Sequence, residues 1–324
     1  MKKIVIIGAG QLGSRHLQGI AQSKIDISIE VVEPFESSRN IAKQRYEEIE
    51  NNKHVLDINF YDSIDKLSSK IDMVIVATGA DVRTKVVSEL LSSKDVDNLI
   101  LEKVLFQTIE EYSIMEKLLE KTNTNCWVNH PRRMFPVYKE LKEKLKSATQ
   151  VSYNFQAGDW GLGCNGLHFI DHLAYLTDSS KLTLNNDGLD DKIYDSKRKG
   201  FVEFNGLLTG NLDNNTFSLY SNAKDTPSIF TISSDVLIAN IDEEAGIINI
   251  STKENNWNNE VKKEKIIYFQ SELSNILIED ILVNDNCFLP TYKEAMNLHV
   301  PYIESLLEHM ERMTGQSHKL CPIT

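Results

Sequence analysis

The segment "KIVIIGAGQLGSRH" (residues 3–16) constrains the fold more than any other part of the chain. Its run of Val and Ile is typical of a buried parallel strand, and it leads directly into a glycine-rich turn. A helical pattern follows from about Ser14. Strand, G-x-G-x-x-G and helix in this order predict the start of a dinucleotide-binding βαβ unit. A glycine turn in an α/β fold without a cofactor is the alternative.

The glycines of this motif have separate roles. Gly8 permits the tight turn, Gly10 lets the backbone approach a pyrophosphate, and Gly13 allows the helix to pack closely on the strand. The helix opens at about Ser14, and we expect the phosphates on the backbone N–H groups at its N-terminus, with Gln11 and Leu12 of the motif as further cofactor contacts.

An acidic residue stands where such a unit needs one. Glu33 follows Gly13 by 20 residues, at the end of the next predicted strand, and its carboxylate can bind both ribose hydroxyls of an adenosine. Glu33 would repel a 2′-phosphate, which favours NAD over NADP. Arg39, and less plausibly Arg15 or Lys43, can offset that repulsion, so NADP remains possible.

The alternation of patterns predicts two domains. Residues 1–125 form a dinucleotide-binding Rossmann domain with a doubly wound parallel sheet, and residues 126–324 form an α+β substrate and oligomerisation domain on a large, open-faced, mostly antiparallel sheet. The first domain has predicted strands at 3–9, 27–33, 72–78 and 98–102, and helices at 14–23, 38–50, 81–93 and 108–121. The second has a helix at 166–177, a series of strands that ends with 264–269, and a terminal helix at 290–313.

A second cofactor contact is expected where the strand at 72–78 ends. Ala77, Thr78 and Gly79 lie at its carboxyl end, the edge at which doubly wound sheets bind ligands.

Composition excludes several classes of partner. The net charge of −12 argues against nucleic acid and anionic membranes, which attract basic surfaces. No apolar stretch is long enough to cross a bilayer. The four cysteines are far apart and form no C-x-x-C pair, which favours a reducing, cytoplasmic location.

Six segments together resemble the glucose–fructose oxidoreductase/inositol dehydrogenase (Gfo/Idh/MocA) family: "GAGQLGSRH", "VATGAD", "LEKVLF", "VNHPRRMFPVYKELK", "GLGCNGLHFIDHLAYL" and "FLPTYKEAMNLH". The resemblance covers nearly the whole chain. It implies a Rossmann domain followed by an open-faced sheet, NAD(P)-dependent chemistry on a small sugar-like molecule, and a homodimer or homotetramer formed through the C-terminal sheet.

The segment "LEKVLF" matches the family's Glu-Lys-Pro motif at Glu102 and Lys103. The resemblance implies that both lie by the cofactor, with Lys103 beside the nicotinamide and the substrate hydroxyl. A partly desolvated lysine beside a ring that becomes cationic has a lowered pKa, which suits a base. Val104 replaces the motif's proline, and a cis peptide before a non-proline residue costs about 2.5–4 kcal/mol, so we expect a different turn.

The segment "GLGCNGLHFIDH" departs from the family pattern Asp-x-Gly-x-His-x-x-Asp. His168 and Asp171 match it, but Cys164 stands in place of the first aspartate. A thiol cannot reproduce a carboxylate's two acceptors. We expect a helix from about Gly166 capped by Asn165, with Asn165 or Cys164 binding a substrate hydroxyl more weakly.

Three interpretations of this helix remain open. At about 100° per residue, His168, Asp171, His172 and Tyr175 form one stripe. The stripe is solvated, or Cys164, His168 and His172 bind zinc, or it faces a substrate. We favour the substrate: His168, in the first turn, is kept neutral by the helix N-terminus and exchanges a proton with a hydroxyl, and His172 binds substrate.

Two further residues are candidate substrate contacts. Trp160 offers an aromatic face for a sugar or base, or it packs in the core. Arg133 can bind a carboxylate or phosphate, or else the pair Arg132 and Arg133 forms structural ion pairs with acids such as Glu140.

The function predicted from these residues is hydride transfer between nicotinamide and a secondary alcohol of a sugar-like, possibly nucleotide-linked, substrate. Lys103 and His168 manage the hydroxyl proton, and no metal is required. Two alternatives remain: a catalytically inactive dinucleotide- or sugar-binding protein, and an NAD-dependent lyase or epimerase with no net redox change.

Overall fold

The computed structural model describes residues 1–222, 224 and 226–324, and these fold into two compact units. The first unit comprises Met1–Phe106, Glu110–Pro131 and Tyr268–Lys293. The second comprises Gln107–Ile109, Arg132–Ile267 and Glu294–Thr324. A single boundary after residue 125 does not describe this division, because a later segment returns to the first unit.

The N-terminal elements form a doubly wound parallel sheet. They are β1 (Lys2–Ile7), α1 (Gln11–Ile20), β2 (Ile27–Val32), α2 (Glu36–Glu47), β3 (Val55–Tyr61), β4 (Lys70–Val76), α3 (Ala80–Ser93), β5 (Asp95–Leu101), α4 (Ile109–Thr122) and β6 (Asn125–Val128). The strand order is β3-β2-β1-β4-β5-β6, and every pair is parallel. The predicted fold class of this region is confirmed.

The central strands form because their residues are apolar on both faces. All six residues of β2 are buried, as expected for a parallel sheet covered on both sides. Strand β3 is not predicted from the sequence; it lies at the sheet edge and has no buried residue. Asp57 and Asn59 interrupt its apolar pattern, so its strand character depends on pairing with β2.

The second unit is built on an eight-stranded sheet. Its elements are α5 (Pro136–Leu145), β7 (Val151–Gly158), α6 (Leu162–Thr177), β8 (Leu182–Leu189), β9 (Tyr194–Asp195), β10 (Val202–Glu203), β11 (Gly206–Leu212), β12 (Asn215–Asn222), β13 (Ile229–Ser234), β14 (Leu237–Asp242), β15 (Ile247–Thr252) and β16 (Asn259–Lys263). The order is β16-β15-β14-β13-β7-β12-β11-β8, and β9 and β10 form a separate ladder. Only β7 and β12 pair in parallel among these strands, which confirms the predicted mostly antiparallel sheet.

One face of this sheet carries the core of the second unit. Phe155 and Phe230 point inward and meet Phe169 of α6, with ring centroids 4.0 and 6.0 Å from it. Two strand predictions need correction: β8 was not anticipated, and the segment 264–269 is not a strand, because β16 ends at Lys263.

The other face of the sheet carries a row of uncharged polar side chains. Cross-strand neighbours on β8, β11, β12, β7, β13, β14 and β15 form one continuous row of partly or fully exposed residues, which are Asn185, Thr209, Ser218, Asn154, Thr231, Asn240 and Asn249. A parallel row on four strands places Leu207, Tyr220 and Ile229, which are 37%, 40% and 55% exposed, around Gln156.

Two long helices follow the sheet. The first, α7 (Gln270–Asn284), was not predicted, and it packs along α1 in the first unit. Gly19 of α1 permits this approach, since a Cβ there would lie 2.6 Å from the carbonyl oxygen of Gln270. The second, α8 (Tyr292–Thr314), matches the predicted terminal helix within two residues at its start.

Candidate active site

The glycine-rich turn between β1 and α1 has the geometry that a dinucleotide requires. Gly8 has φ +86°, and a Cβ at Gly13 would lie 1.8 Å from the carbonyl oxygen of Gly8, so both positions require glycine. A Cβ at Gly10 would meet nothing within 4 Å, which leaves open space beside the backbone. Gln11 and Leu12 begin α1, whose first N–H groups have no partner within the helix.

Glu33 is fixed against this turn. One carboxylate oxygen accepts a hydrogen bond from the N–H of Ala9 at 2.9 Å, and the other accepts from the N–H of Phe35 at 3.1 Å. The side chain is buried at the carboxyl end of β2. Arg39 donates to the backbone carbonyls of Glu33 and Pro34, at 2.6 and 2.9 Å, so its guanidinium lies beside the same segment.

The turn after β4 lies against the glycine-rich turn. The backbone N of Thr78 is 3.0 Å from the position of a Cβ on Gly8, which brings Ala77 and Thr78 next to the motif. The hydroxyl of Thr78 is buried and has no hydrogen-bond partner in the described part of the chain. Gly79 is the N-cap of α3.

A buried arginine that the sequence analysis missed supports the segment after Lys103. Arg83 of α3 is 1% exposed and donates hydrogen bonds to the carbonyls of Thr78, Val104 and Leu105. Burial lowers the pKa of Arg83 to about 10, against the opposing charge of Glu102. No motif signals this residue, since an arginine on a helix is ordinarily exposed.

Glu102 lies buried inside the first unit. Its Oε1 accepts hydrogen bonds from His16 Nε2 at 2.9 Å and from Asn129 Nδ2 at 2.5 Å, while His16 Nδ1 lies 2.8 Å from the hydroxyl of Ser274 on α7. Burial alone would raise the pKa of Glu102, but these partners outweigh burial and lower it. We name Glu102, His16, Asn129 and Ser274 the Glu102 network.

Lys103 is half-buried next to this network. The peptide bond between Lys103 and Val104 is cis. The expectation that valine would change this turn by excluding a cis bond is therefore wrong.

Helix α6 begins four residues earlier than predicted. It starts at Leu162 after Gly161, whose φ of +74° is left-handed, so Asn165 is not the N-cap. The amide of Asn165 instead donates to the carbonyl of Trp160 at 2.8 Å. His168 therefore lies in the second turn, and the argument that the helix N-terminus keeps it neutral no longer applies.

His172 belongs to the core, which corrects its assignment as a substrate contact. It is fully buried, its Nδ1 lies 2.9 Å from the hydroxyl of Tyr153, and its ring centroid is 4.0 Å from that of Tyr138. Burial, and then the charges of Arg132 and Arg133, lower its pKa well below the ordinary value. A zinc site that includes His172 is not formed, and the described residues contain no group of three or more His, Cys, Asp or Glu side chains able to hold a metal.

Arg133 forms a largely buried ion pair, which favours the structural alternative. Its Nε and Nη2 donate to the two oxygens of Asp171 at 2.9 and 2.7 Å, and both side chains are largely buried. Burial would lower the pKa of Arg133, but the Asp171 charge outweighs it and raises the pKa. Arg132 makes the same two-point contact with Glu243, whereas Glu140, the expected partner, pairs with Lys262.

Trp160 is half-buried and packs on the aromatic core of the second unit. Its indole N–H donates to the carbonyl of Tyr220 at 2.9 Å, and its ring meets Phe155 and Phe169 edge-on at 5.0 and 5.2 Å. These contacts favour the packing alternative. Cys164 and His168 are both half-buried and lie one turn apart on α6.

No helix among the described residues combines the length and the apolar composition that crossing a membrane requires. The sequence of residues 2–130 matches the model of an oxidoreductase family with an NAD-binding Rossmann fold, the family that the sequence resembled. The comparison with curated proteins finds no match.

Solved structures with similar folds cover almost the whole chain. An oxidoreductase from Agrobacterium radiobacter, in complex with NAD⁺, L-tartaric acid and magnesium, has a TM-score of 0.72 at 12% identity and covers 98% of each chain. UDP-N-acetylglucosamine 3-dehydrogenase from Acidithiobacillus ferrooxidans has a TM-score of 0.68 at 14% identity, over 94% of this chain and 96% of that one. Scyllo-inositol dehydrogenase from Lactobacillus casei, with NAD(H) and scyllo-inositol, has a TM-score of 0.66 at 16% identity, over 96% of this chain and 97% of that one.

The burial of His172 predicts a pH-dependent stability. The folded state holds the imidazole neutral, whereas the unfolded chain takes up a proton near the ordinary pKa of 6.5. The contribution of His172 to the free energy of unfolding is therefore fully present above about pH 6.5 and is lost as the pH falls below that value. The loss is at most about 1.4 kcal/mol per pH unit. In His172→Phe, the loss of unfolding free energy between about pH 7 and about pH 5 should be smaller by about 1–2 kcal/mol.

Urea unfolding at the two pH values measures this difference. His318→Phe, at a half-buried position near the end of the chain, is the control and should keep the pH dependence of the unmodified protein. Equal pH dependence of His172→Phe and the unmodified protein would contradict the assignment of a neutral core histidine.

Proposed function

Residues 2–130 belong to the Gfo/Idh/MocA oxidoreductase family, and on that premise we propose that the protein transfers hydride between NAD and a secondary alcohol of a sugar-like molecule. The observation that carries the proposal is the glycine-rich turn with Glu33 fixed against it. This region of the first unit combines open space at Gly10 with a helix N-terminus and a buried acid.

The residues present fit the cofactor. Gln11 and Leu12 offer backbone N–H groups to the pyrophosphate, and Glu33 keeps acceptor capacity for ribose hydroxyls beyond its two backbone contacts. Ala77, Thr78 and Gly79 line the adjacent edge, where the unpartnered Thr78 hydroxyl fits a polar ligand group. When bound, NAD supplies the hydride acceptor.

Lys103 and His168 are proposed to move the hydroxyl proton. Lys103 is half-buried beside the ionised Glu102 network, and its amine takes the proton as the carbinol carbon loses hydride. His168 is half-buried on α6 and offers an imidazole that exchanges a proton with a hydroxyl. Cys164 and Asn165 remain proposed contacts to further hydroxyls, supported by their place in the first turn of α6.

The substrate class is proposed from the neighbours' chemistry. One similar structure holds scyllo-inositol and another is named for a UDP-linked amino sugar. Both compounds present several hydroxyls, as the proposed function requires. A screen of NAD⁺ and NADP⁺ reduction over free and nucleotide-linked sugars tests this class directly.

Replacement of Lys103 by methionine tests the proposed chemistry. Lys103→Met removes the proton acceptor but keeps the length of the side chain, so turnover should fall by about 10²-fold or more. The Kd for NADH, measured by calorimetry, should stay within about threefold, since backbone groups and Glu33 carry most of the proposed cofactor contacts. Lys85→Met, at an exposed position on α3, is the matched control and should keep full turnover.

The result also separates the alternatives. Full turnover in Lys103→Met would move the base to another residue, with His168→Asn as the next variant. NADH binding without turnover of any sugar would favour the binding protein, and product formation without net NADH would favour a lyase or epimerase.

Cofactor preference follows from the charge of Glu33. The unmodified protein should bind NADH more tightly than NADPH, because the carboxylate repels a 2′-phosphate. Glu33→Gln keeps an oxygen for the N–H of Ala9. In this variant the ratio of the Kd for NADPH to the Kd for NADH should fall by about tenfold, mainly through tighter NADPH binding. Asp57→Asn, which removes an exposed acid on β3, is the calorimetric control. Tighter NADPH than NADH binding by the unmodified protein would contradict the assignment.

We further propose that a second copy of the chain covers the face of the eight-stranded sheet that carries this uncharged row, giving a homodimer or a homotetramer. The support is compositional: charged residues make up 25% of the chain, yet the row from Asn185 to Asn249 has none. Depletion of charge with interspersed aromatic and aliphatic side chains is typical of an interface core.

A lysine in the middle of this row should disperse the oligomer. Asn154 lies on the central strand β7, and Asn154→Lys would bury two like charges across a two-fold interface. Light scattering should give a mass near 36.9 kDa for the variant and a multiple of it for the unmodified protein. Asn51→Lys, at an exposed position outside the sheet, is the control, and a monomeric unmodified protein would contradict the proposal.

A further inference from the structure

A side chain of α2 reaches the glycine-rich turn from outside the motif. Arg45, in the last turn of α2, donates from Nη2 to Oε1 of Gln11 at 2.6 Å. Its Nη1 donates to the hydroxyl of Ser14 at 2.5 Å and to the carbonyl oxygen of Gln11 at 3.3 Å. Gln11 and Ser14 both belong to the first turn of α1, and no side chain caps the N-cap Gly10. One guanidinium therefore contacts the turn at which the phosphates are proposed to bind.

The backbone of Arg45 is held by α1 as well. Nε2 of the buried Gln18 donates to the carbonyl oxygen of Arg45 at 3.1 Å, and Oε1 of Gln18 accepts from Arg15 at 2.8 Å. Among the described residues, Arg45 forms no ion pair, so no carboxylate neutralises its charge. The guanidinium is thus fixed in place and polarises the groups that it contacts.

The contact with Arg45 determines the orientation of the Gln11 amide. A guanidinium has donors and no acceptor, so the amide atom that faces it must be the oxygen Oε1. The Nε2 group, with two N–H donors, occupies the other branch of the amide. Gln11 is exposed, and its Nε2 donates to no group in the part of the chain that the structure describes. The side chain therefore presents donors, and not an acceptor, to a ligand at the N-terminus of α1.

A second contact connects Arg45 to the backbone of the turn. The Ser14 hydroxyl that accepts from Arg45 donates in turn to the carbonyl oxygen of Gly10 at 2.7 Å. Gly10 is the position at which a Cβ would meet nothing within 4 Å, which is where the backbone is open to a ligand. Arg45 is thereby linked by one hydrogen bond to the Gln11 amide and by two in series to Gly10.

We propose that Arg45 is a positioning residue for the cofactor, which orients the amide of Gln11 so that Nε2 donates to the pyrophosphate. The proposal rests on the proposed function, and it adds to the cofactor site a residue from outside the glycine motif. The two phosphates accept from the backbone N–H groups of the first turn, and the oriented amide supplies a further donor. Without Arg45 the amide rotates, and binding must then order it at a cost in affinity.

A double-mutant cycle tests whether Arg45 acts through Gln11. The variants are Arg45→Met, which removes the guanidinium, Gln11→Leu, which removes the amide, and the two combined. Fluorescence titration gives the Kd for NADH, and competition against NADH gives the Kd for ADP-ribose, which contains the pyrophosphate, and for adenosine, which lacks it. Lys53→Met, at an exposed position of the first unit, is the control for loss of one positive charge.

Each single variant should raise the Kd for NADH and for ADP-ribose by about 5–10-fold, because the hydrogen bond that is lost or disordered has a charged acceptor. The double variant should bind no more than about twofold more weakly than either single variant, since Arg45 has nothing to orient once the amide is removed. The Kd for adenosine should stay within about twofold in all variants, as should every Kd of Lys53→Met.

The outcomes separate this proposal from the proposed function. If the unmodified protein binds neither NADH nor ADP-ribose, the cofactor assignment falls, and the role of Arg45 falls with it. If it binds them, the role of Arg45 alone is overturned when Arg45→Met keeps both Kd values within about twofold, or when the two single losses multiply in the double variant. An equal loss of adenosine binding would also overturn it, because that result indicates general damage to the unit. Should Arg45→Met not fold, Arg45→Gln replaces it in the cycle under the same criteria.

Discussion

The first unit is organised around the need to satisfy one buried carboxylate. Glu102 is 4% exposed at the end of β5, where an unpaired charge would be costly to bury. Glu102 accepts hydrogen bonds from His16 on α1 and from Asn129 at the end of β6, and Ser274 on α7 contacts His16. Three separate segments therefore converge on the residue beside Lys103. The same contacts explain why a segment from late in the chain belongs to this unit: α7 supplies the hydroxyl that orients the histidine.

The second unit also contains largely buried charges, which form two arginine–carboxylate ion pairs. Arg132 and Arg133 are adjacent in sequence but pair with different acids. Arg132 pairs with Glu243, which follows β14, and Arg133 pairs with Asp171 of α6. These pairs tie the start of the unit to its sheet and to its central helix, and they raise the positive potential around His172, which stays neutral. Asp171 and His172, in the middle of the polar stripe on α6, are therefore internal.

Local requirements were predictable from the sequence, and distant contacts were not. The glycine-rich turn and Glu33 could be identified because each depends on backbone geometry within one βαβ unit. The role of His172 could not, because periodicity reveals a polar stripe without revealing that Tyr138 and Tyr153 face it. For the same reason the start of α6 was misplaced: its first N–H groups are satisfied by Glu203, 40 residues later, and no local capping residue marks the position.

The two departures from the family motifs have a common physical explanation. Val104 replaces a proline, and the segment around it is held by Arg83, which reaches two of its carbonyls from α3. Cys164 replaces an aspartate, and Glu203 brings a carboxylate to the same backbone from β10. In both cases a charged side chain from elsewhere in the same unit contacts the backbone of the departing segment.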